Sequence, residues 1–319
     1  MRQLESVKSK FRPSALSESS KTFWSRLAVF VTPLLVLLAD PRVAMAIDIN
    51  EDFKPEEEFK LDPWIKLEIG GLDMSINKAV LYIWLASFAT IFTMVWVGRR
   101  MKDRPNKVQT VVESTYIFTR DTLTRSNISN PQVARRWFGF IATLFLFIWF
   151  SNMIGFIPLP TNSMEKVNIF GWEVPSFAIY SATANFSVPI VLTLIVWFSY
   201  HIEGIKARGV VGYFKSFIPA GISGPILILV APIEVLSHFV RLVSLSARLF
   251  ANMLAGHLLI LIMGGGLAVL VGIAVVGVLT LPIAVAFYIF EVGLVATLQA
   301  FIFAILSSIY IGGATGESH

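Results

Sequence analysis

The sequence predicts an all-α membrane protein of about five membrane helices. It closes in a long, tilted two-helix hairpin at the C-terminal end and carries an amphipathic helix along the cytoplasmic face. Three observations point that way. Hydrophobic residues make up 55% of the 319 and charged residues only 15%, against about 25% charged in ordinary soluble domains. Apolar runs recur at lengths able to cross about 30 Å of hydrocarbon. Basic loops alternate with loops poor in lysine and arginine, as the positive-inside rule requires. With no cysteine, thiol catalysis, iron–sulfur ligation, zinc–cysteine sites and disulfides are excluded. The net charge of +5 is spread through the loops, so topology explains it better than nucleic acid does.

Lys8, Lys10, Arg12, Lys21 and Arg26 precede an apolar run from Leu27 to Ala39, short for a spanning helix. Ala44-Met45-Ala46 then offers a small-x-small cleavage pattern, so residues 1–46 read as a signal or processing segment. The alternatives are an extra membrane helix or a transit peptide, in which Glu5 and Glu18 would be out of place. Residues 47–77 begin with Asp48, Glu51, Asp52, Glu56, Glu57 and Glu58 and suit the outer face. Residues 78–319 form the membrane domain.

Its first span, Lys78 to Val97, ends in Arg99, Arg100, Lys102 and Arg104, which fixes that end as cytoplasmic. Pro105 to Ile128 mixes polar and apolar residues and is expected to lie along the cytoplasmic face. Arg135 and Arg136 open the second span, Trp137 to Ile157, and Thr161 to Pro175 form an outer loop. The third span, Ser176 to Tyr200, exits at Lys206, Arg208 and Lys215. Beyond Phe217, Pro219, Gly221, Gly224, Pro225 and Pro232 predict broken or re-entrant backbone, tolerated at membrane depth only against protein or water. A long helix then runs from Ala231 to Met263, broken at Gly264-Gly-Gly266, and is followed by an apolar region from Leu267 to Ile311. No Gly-x-x-x-x-Gly-Lys-Ser/Thr occurs, so no nucleotide cradle is recognisable. No cofactor or metal site is expected.

One seam of the long helix is polar. Glu234, His238, Arg241, Ser244 or Leu245, Arg248 and Asn252 follow steps of three and four, which align them on one face. Glu234, His238 and Arg241 read equally well as packing glue that satisfies itself. Arg248 has no acidic residue three or four positions away. An arginine at mid-bilayer costs at least about 2.5–3.5 kcal/mol and marks an ion or substrate pathway by default. His257, nine positions on, falls on the opposite side of the helix. In the last helix Glu291 and Gln299 stand in apolar surroundings. A lone glutamine reads as helix–helix glue, whereas a buried glutamate suits proton exchange, and with His257 it would make one proton-accepting cluster near the outer surface.

Ser244-Leu-Ser-Ala-Arg248-Leu-Phe-Ala-Asn252-Met-Leu-Ala-Gly-His257 and Thr297-Leu-Gln299-Ala-Phe-Ile-Phe resemble the signatures of subunit a of F-type ATP synthases. Ser151-Asn152-Met-Ile-Gly-Phe-Ile-Pro and Ser181-Ala-Thr-Ala-Asn185 support the likeness, which covers Leu81 to Ile311. The resemblance implies a stator proton channel beside a rotating c-ring, held by peripheral-stalk b subunits in a bacterial plasma membrane or, less fittingly, the mitochondrial inner membrane. The chain would be no enzyme by itself but a non-nucleotide-binding component of the synthase. Arg248 would match the family's essential arginine, and Asn252 and Gln299 its neighbours. His257 and Glu291 would match the outer half-channel, with Asn152, Thr183 and Asn185 as further lining. Glu234, His238 and Arg241 would shape the cytoplasmic side.

Two positions depart from the family pattern. Members commonly place an acidic residue or histidine seven positions before the glutamine, whereas Glu291 lies eight before Gln299. One extra residue turns a helix face by about 100°, so either a local bulge restores the register or Glu291 points elsewhere. Gly155 stands where some members carry aspartate. Two other functions remain open to the residues alone. A secondary transporter would bind an anion at Arg248 and show inverted repeats, of which none is visible. A purely structural subunit would use the polar stripe as assembly glue.

Overall fold

The computed structural model describes residues 59–61, 63–69, 72–73, 75–100, 106–169, 172–217, 226–266 and 274–316. The segment read as a signal, and the acidic residues up to 58, lie outside these. Helix α1 is Lys78–Arg100, α2 is Lys107–Ile117, and a π-helix, Phe118–Arg125, continues α2. Then come α3 (Pro131–Gly155), α4 (Ser187–Lys215), α5 (Ile226–Leu261), α6 (Ala274–Phe290) and α7 (Ala296–Thr315). A π-helix extends α5 over Ile262–Gly266, and another joins α6 to α7 over Glu291–Val295. Among the described residues five stretches are long and apolar enough to cross a membrane: Lys78–Trp96, Pro131–Gly155, Ser187–Lys215, Ile228–Gly264 and Thr280–Thr315. The expected count of spans holds.

Starts of helices follow capping chemistry. Asn130 precedes α3 and its side chain accepts from the backbone N–H groups of Gln132 (2.9 Å) and Val133 (3.4 Å), with Pro131 in the first turn. Asn106 caps α2 in the same way through Gln109 at 2.8 Å. In the π-helix after α2, Ser126 N–H bonds the Asp121 carbonyl at 3.1 Å, five residues back. Asp121 also accepts from Arg120 Nε and Nη2, both at 2.9 Å. That hydrogen bonding holds its carboxyl below the usual aspartate range, so the pair is lost only as pH falls through the lowered value.

Several boundaries differ from the sequence reading. The outer loop and the residues assigned to the start of the third span form an antiparallel hairpin, β3 (Leu159–Ile169) with β4 (Trp172–Ala178), pairing Leu159 with Ala178 and Ile169 with Trp172. A smaller hairpin pairs Glu68–Ile69 (β1) with Leu72–Asp73 (β2). The third span therefore starts at Ser187. It carries Lys206 and Arg208 within the helix and kinks at Gly209, whose φ of 72° suits only glycine well. Past the kink the chain folds back, and the Tyr213 ring lies where a Cβ on Gly204 would be. Pro232 does not break the long helix but lies inside α5, and Gly264–Gly266 continue it as π-helix. Residues 218–225, where re-entrant backbone was expected, lie outside the described set.

The apolar core forms where α3 packs against α1 and α7, and α4 against α5 and α7. Ile141, Leu144, Phe145 and Ile148 of α3 meet Leu245, Leu249 and Met253 of α5 and Ala296, Ala300, Phe303 and Ala304 of α7. The small residues of α7 permit close helix approach. At 36 residues, α5 is about 54 Å long, so it must tilt to stay within about 30 Å of hydrocarbon. With α6 and α7 it makes the expected C-terminal hairpin. At the end of the bundle rich in basic residues, Arg136 Nη1 donates to Glu203 Oε1 at 2.8 Å, and Glu203 is only 3% exposed. Arg136→Ala strands that buried carboxylate at a cost of roughly 1–3 kcal/mol. The expected outcome is a lower thermal unfolding midpoint of the detergent-solubilised protein, partly restored by adding Glu203→Gln.

Candidate functional site

Arg248 is exposed on the lone chain, and among the described residues it has no hydrogen bond or ion pair. Val240, Ser244, Ala251 and Ala255 are exposed along the same line of α5. Four turns of this helix thus present a face of mostly small side chains with one guanidinium in it. Ile283, Phe287, Phe290, Leu294 and Leu298 on the adjoining hairpin arm are exposed too. An arginine cannot discharge itself by losing its proton. A permanent charge without a partner among the described residues, set in an apolar surface, calls for a counter-charge brought to it. Asn252, one turn on, is half-buried, while Gln299 is 5% exposed on α7. Neither is hydrogen-bonded among the described residues.

On the opposite side of α5, His257 is fully buried and stacks on Phe156 with ring centroids 4.7 Å apart. Its Nδ1 lies 2.8 Å from the Met253 carbonyl and its Nε2 3.2 Å from the Gly155 carbonyl. Two acceptors therefore face a ring that, when neutral, has a single N–H to donate. A second proton completes both hydrogen bonds. Glu291 packs directly against Gly256, next to His257; a Cβ there would stand 2.5 Å from Glu291 Oε2. That oxygen is buried and has no hydrogen-bond partner among the described residues. Such a group costs free energy unless a proton or water reaches it.

The π-helix accounts for the Glu291 register. Its one extra residue per turn means that eight positions, Glu291 to Gln299, act like seven of regular helix. Seven steps leave a residual angle of only about 20°, and both side chains are buried. The local bulge does restore the face.

Below Glu291 runs a chain of buried hydroxyl and amide groups. Ser181 Oγ and Thr183 Oγ1 are 2.7 Å apart, and Thr183 Oγ1 donates to Asn152 Oδ1 at 2.7 Å. Asn152 Nδ2 donates to the Ala296 carbonyl at 3.2 Å, just past the π-helix. Asn152 and Thr183, far apart in the sequence, thus meet. Asn185 Oδ1 accepts from the Ser187 N–H at 2.9 Å, in the turn just before α4. Gly155 leaves no room for an aspartate, because a Cβ would lie 2.5 Å from Ser181 Cβ.

Towards the basic end, Glu234, His238 and Arg241 line a cavity of about 380 Å³ with Tyr200 and Tyr310. They do not satisfy one another. His238 Nδ1 lies 3.0 Å from Tyr200 Oη, and Arg241 stacks on the Tyr310 ring at 5.4 Å. Sequence reasoning did not single out Ser181, Tyr200, Gly256 or Tyr310 individually. Only Ser181 and Gly256 lay inside quoted motifs, and the two tyrosines gave no signal, since their role depends on another helix.

Residues 80–312 match the family model described as ATP synthase A chain. The ATP synthase subunit a of Rubrobacter xylanophilus is 36% identical over 251 residues, covering 77% of this chain and 87% of that protein. The subunit a of Parvibaculum lavamentivorans is 34% identical, covering 83% of this chain and 94% of its own length. That of Bradyrhizobium diazoefficiens is 35% identical, with coverages of 83% and 98%. A family model spanning the whole membrane bundle, together with relatives matched nearly end to end, places the chain: it belongs to the ATP synthase A chain family.

Proposed function

We propose that the chain, as the proton-channel subunit of an F-type ATP synthase, supplies two half-channels separated by Arg248. The observation that carries this is Arg248 on an exposed face of α5, without a partner among the described residues, with one polar compartment behind it and another along its own stripe. The compartment of His257, Glu291, Asn152 and Thr183 is the outer half-channel, and the cavity of Glu234, His238, Arg241 and Tyr200 is the cytoplasmic one. The partner facing Arg248 is a ring of carboxylate-bearing c subunits, with Asn252 and Gln299 flanking the passage. Peripheral-stalk b subunits hold the chain still, and a bacterial plasma membrane is the setting the named relatives favour.

The chemistry follows from charge. A proton enters one half-channel, neutralises a rotor carboxylate, rides the ring and leaves by the other. As the ionised carboxylate passes Arg248, the guanidinium stabilises its charge and repels a proton attempting a direct crossing. Lysine would serve poorly, since desolvation can strip its proton. Each charge crossing releases about 2.3 kcal/mol per 100 mV, so several crossings accompany each ATP.

The absence of cysteine makes a direct test clean. In sealed vesicles of the intact complex, Glu234→Cys should react with a membrane-impermeant thiol reagent only from the cytoplasmic side. Thr183→Cys should react only from the other. Reaction of both from one side would remove the two-compartment arrangement.

A further inference from the structure

A second groove opens at the basic end, lined by none of the residues of the proton compartments. Its volume is about 460 Å³, its floor is Tyr116, Ile128 and Phe138, and its rim carries Arg120, Arg125 and Arg135. The Tyr116 and Phe138 rings meet edge to face at 5.2 Å, closing an apolar base between α2 and α3. Arg135 is exposed and has no ion pair among the described residues. Arg120 and Arg125 share one carboxylate, Asp121, at 2.9 and 3.4 Å, so the rim keeps an excess of positive charge.

The backbone is arranged for this. In an α-helix, residues five apart differ by about 140°. The π-helix Phe118–Arg125, with its i to i+5 hydrogen bonds, stacks Arg120 and Arg125 on one side instead. Asp121 then fixes the Arg120 guanidinium through two parallel bonds, and the guanidinium carbon lies over the Tyr116 ring at 5.4 Å. Beside the groove α2 exposes Val108, Val111 and Ile117, an apolar surface suited to acyl chains. A fixed basic rim over an apolar floor, at the mouth of a membrane span, matches an amphiphile whose head is anionic and whose tail is hydrocarbon.

We propose that this groove binds the phosphodiester head of an anionic phospholipid, with Arg120, Arg125 and Arg135 on the phosphate and Tyr116 and Phe138 against its glycerol and upper acyl chains. The site rests on the chain lying in a membrane and not on proton conduction, so either reading can fail without the other.

The test uses the intact complex in phosphatidylcholine vesicles doped with a photoactivatable phosphatidylglycerol, and crosslinked peptides are read by mass spectrometry. Labelling is expected within residues 106–138, and to fall at least about tenfold in the variant R120Q/R125Q/R135Q. Crosslinks along the exposed Phe88 and Phe92 face of α1 should stay unchanged. Arg135→Gln alone, which breaks no ion pair among the described residues, should lower labelling several-fold. Soluble glycerophosphate at millimolar concentration should not compete. Equal labelling by a zwitterionic probe, or undiminished labelling of Arg135→Gln and the triple variant, would overturn the site. Competition by glycerophosphate would overturn the lipid and point to a soluble phosphate instead.

Discussion

Replacing Arg248 with alanine is expected to abolish ATP-driven proton transport in vesicles while leaving the complex assembled. Assembly should survive because the guanidinium makes no hydrogen bond or ion pair among the described residues of its own chain. Its neighbours Leu245, Leu249 and Met253, which do the packing, are untouched. Removing a charge from an apolar surface even relieves a cost of about 2.5–3.5 kcal/mol. What is lost is the barrier between compartments. Arg248→Lys should also fail, since a desolvated ammonium can deprotonate and open the leak. Rates are read by fluorescence quenching and assembly by the subunit ratio of the purified complex. Intact coupled transport by Arg248→Ala would sink the mechanism.

The second large effect concerns Glu291 and its π-helix. Glu291→Leu should eliminate coupled transport, because the proposed outer half-channel loses its buried carboxylate, which packs against Gly256. Deleting Gly293 should be far milder. That glycine is exposed, with nothing within 4 Å of where its Cβ would be, and lies within the π-helix Glu291–Val295. Its removal turns the bulge into regular helix with Glu291 seven positions before Gln299, so both still face inward. A deletion in the regular part of α7, such as Ala304, instead turns everything beyond it by about 100° and should destroy assembly. Equal loss from both deletions would show that the bulge does more than restore register.

The sequence carried the spans and the polar stripe because both are periodic: hydropathy marks length, and steps of three and four mark a face. It also exposed one π-helix, as a one-residue misfit between Glu291 and Gln299. The π-helix at Phe118–Arg125 left no such trace, because no motif fixes a register there. The β3–β4 hairpin was read as a loop and partly as helix. Its backbone pairing depends on two segments meeting, which local composition does not record. Pro232 misled in the other direction: local propensity predicts a break, yet α5 runs through it. Tyr200 and Tyr310 line the cavity with Glu234, His238 and Arg241 only through the packing of α4 and α7 against α5.

In the proposed mechanism Arg248 is a barrier and not a binding site. The most direct measurement is passive proton flux through the complex with its rotor crosslinked to the stator, under an imposed potential of about 100 mV. Wild-type complex should pass no protons above the lipid background, and Arg248→Ala should conduct. Locked Arg248→Ala complexes as tight as wild type would contradict the barrier.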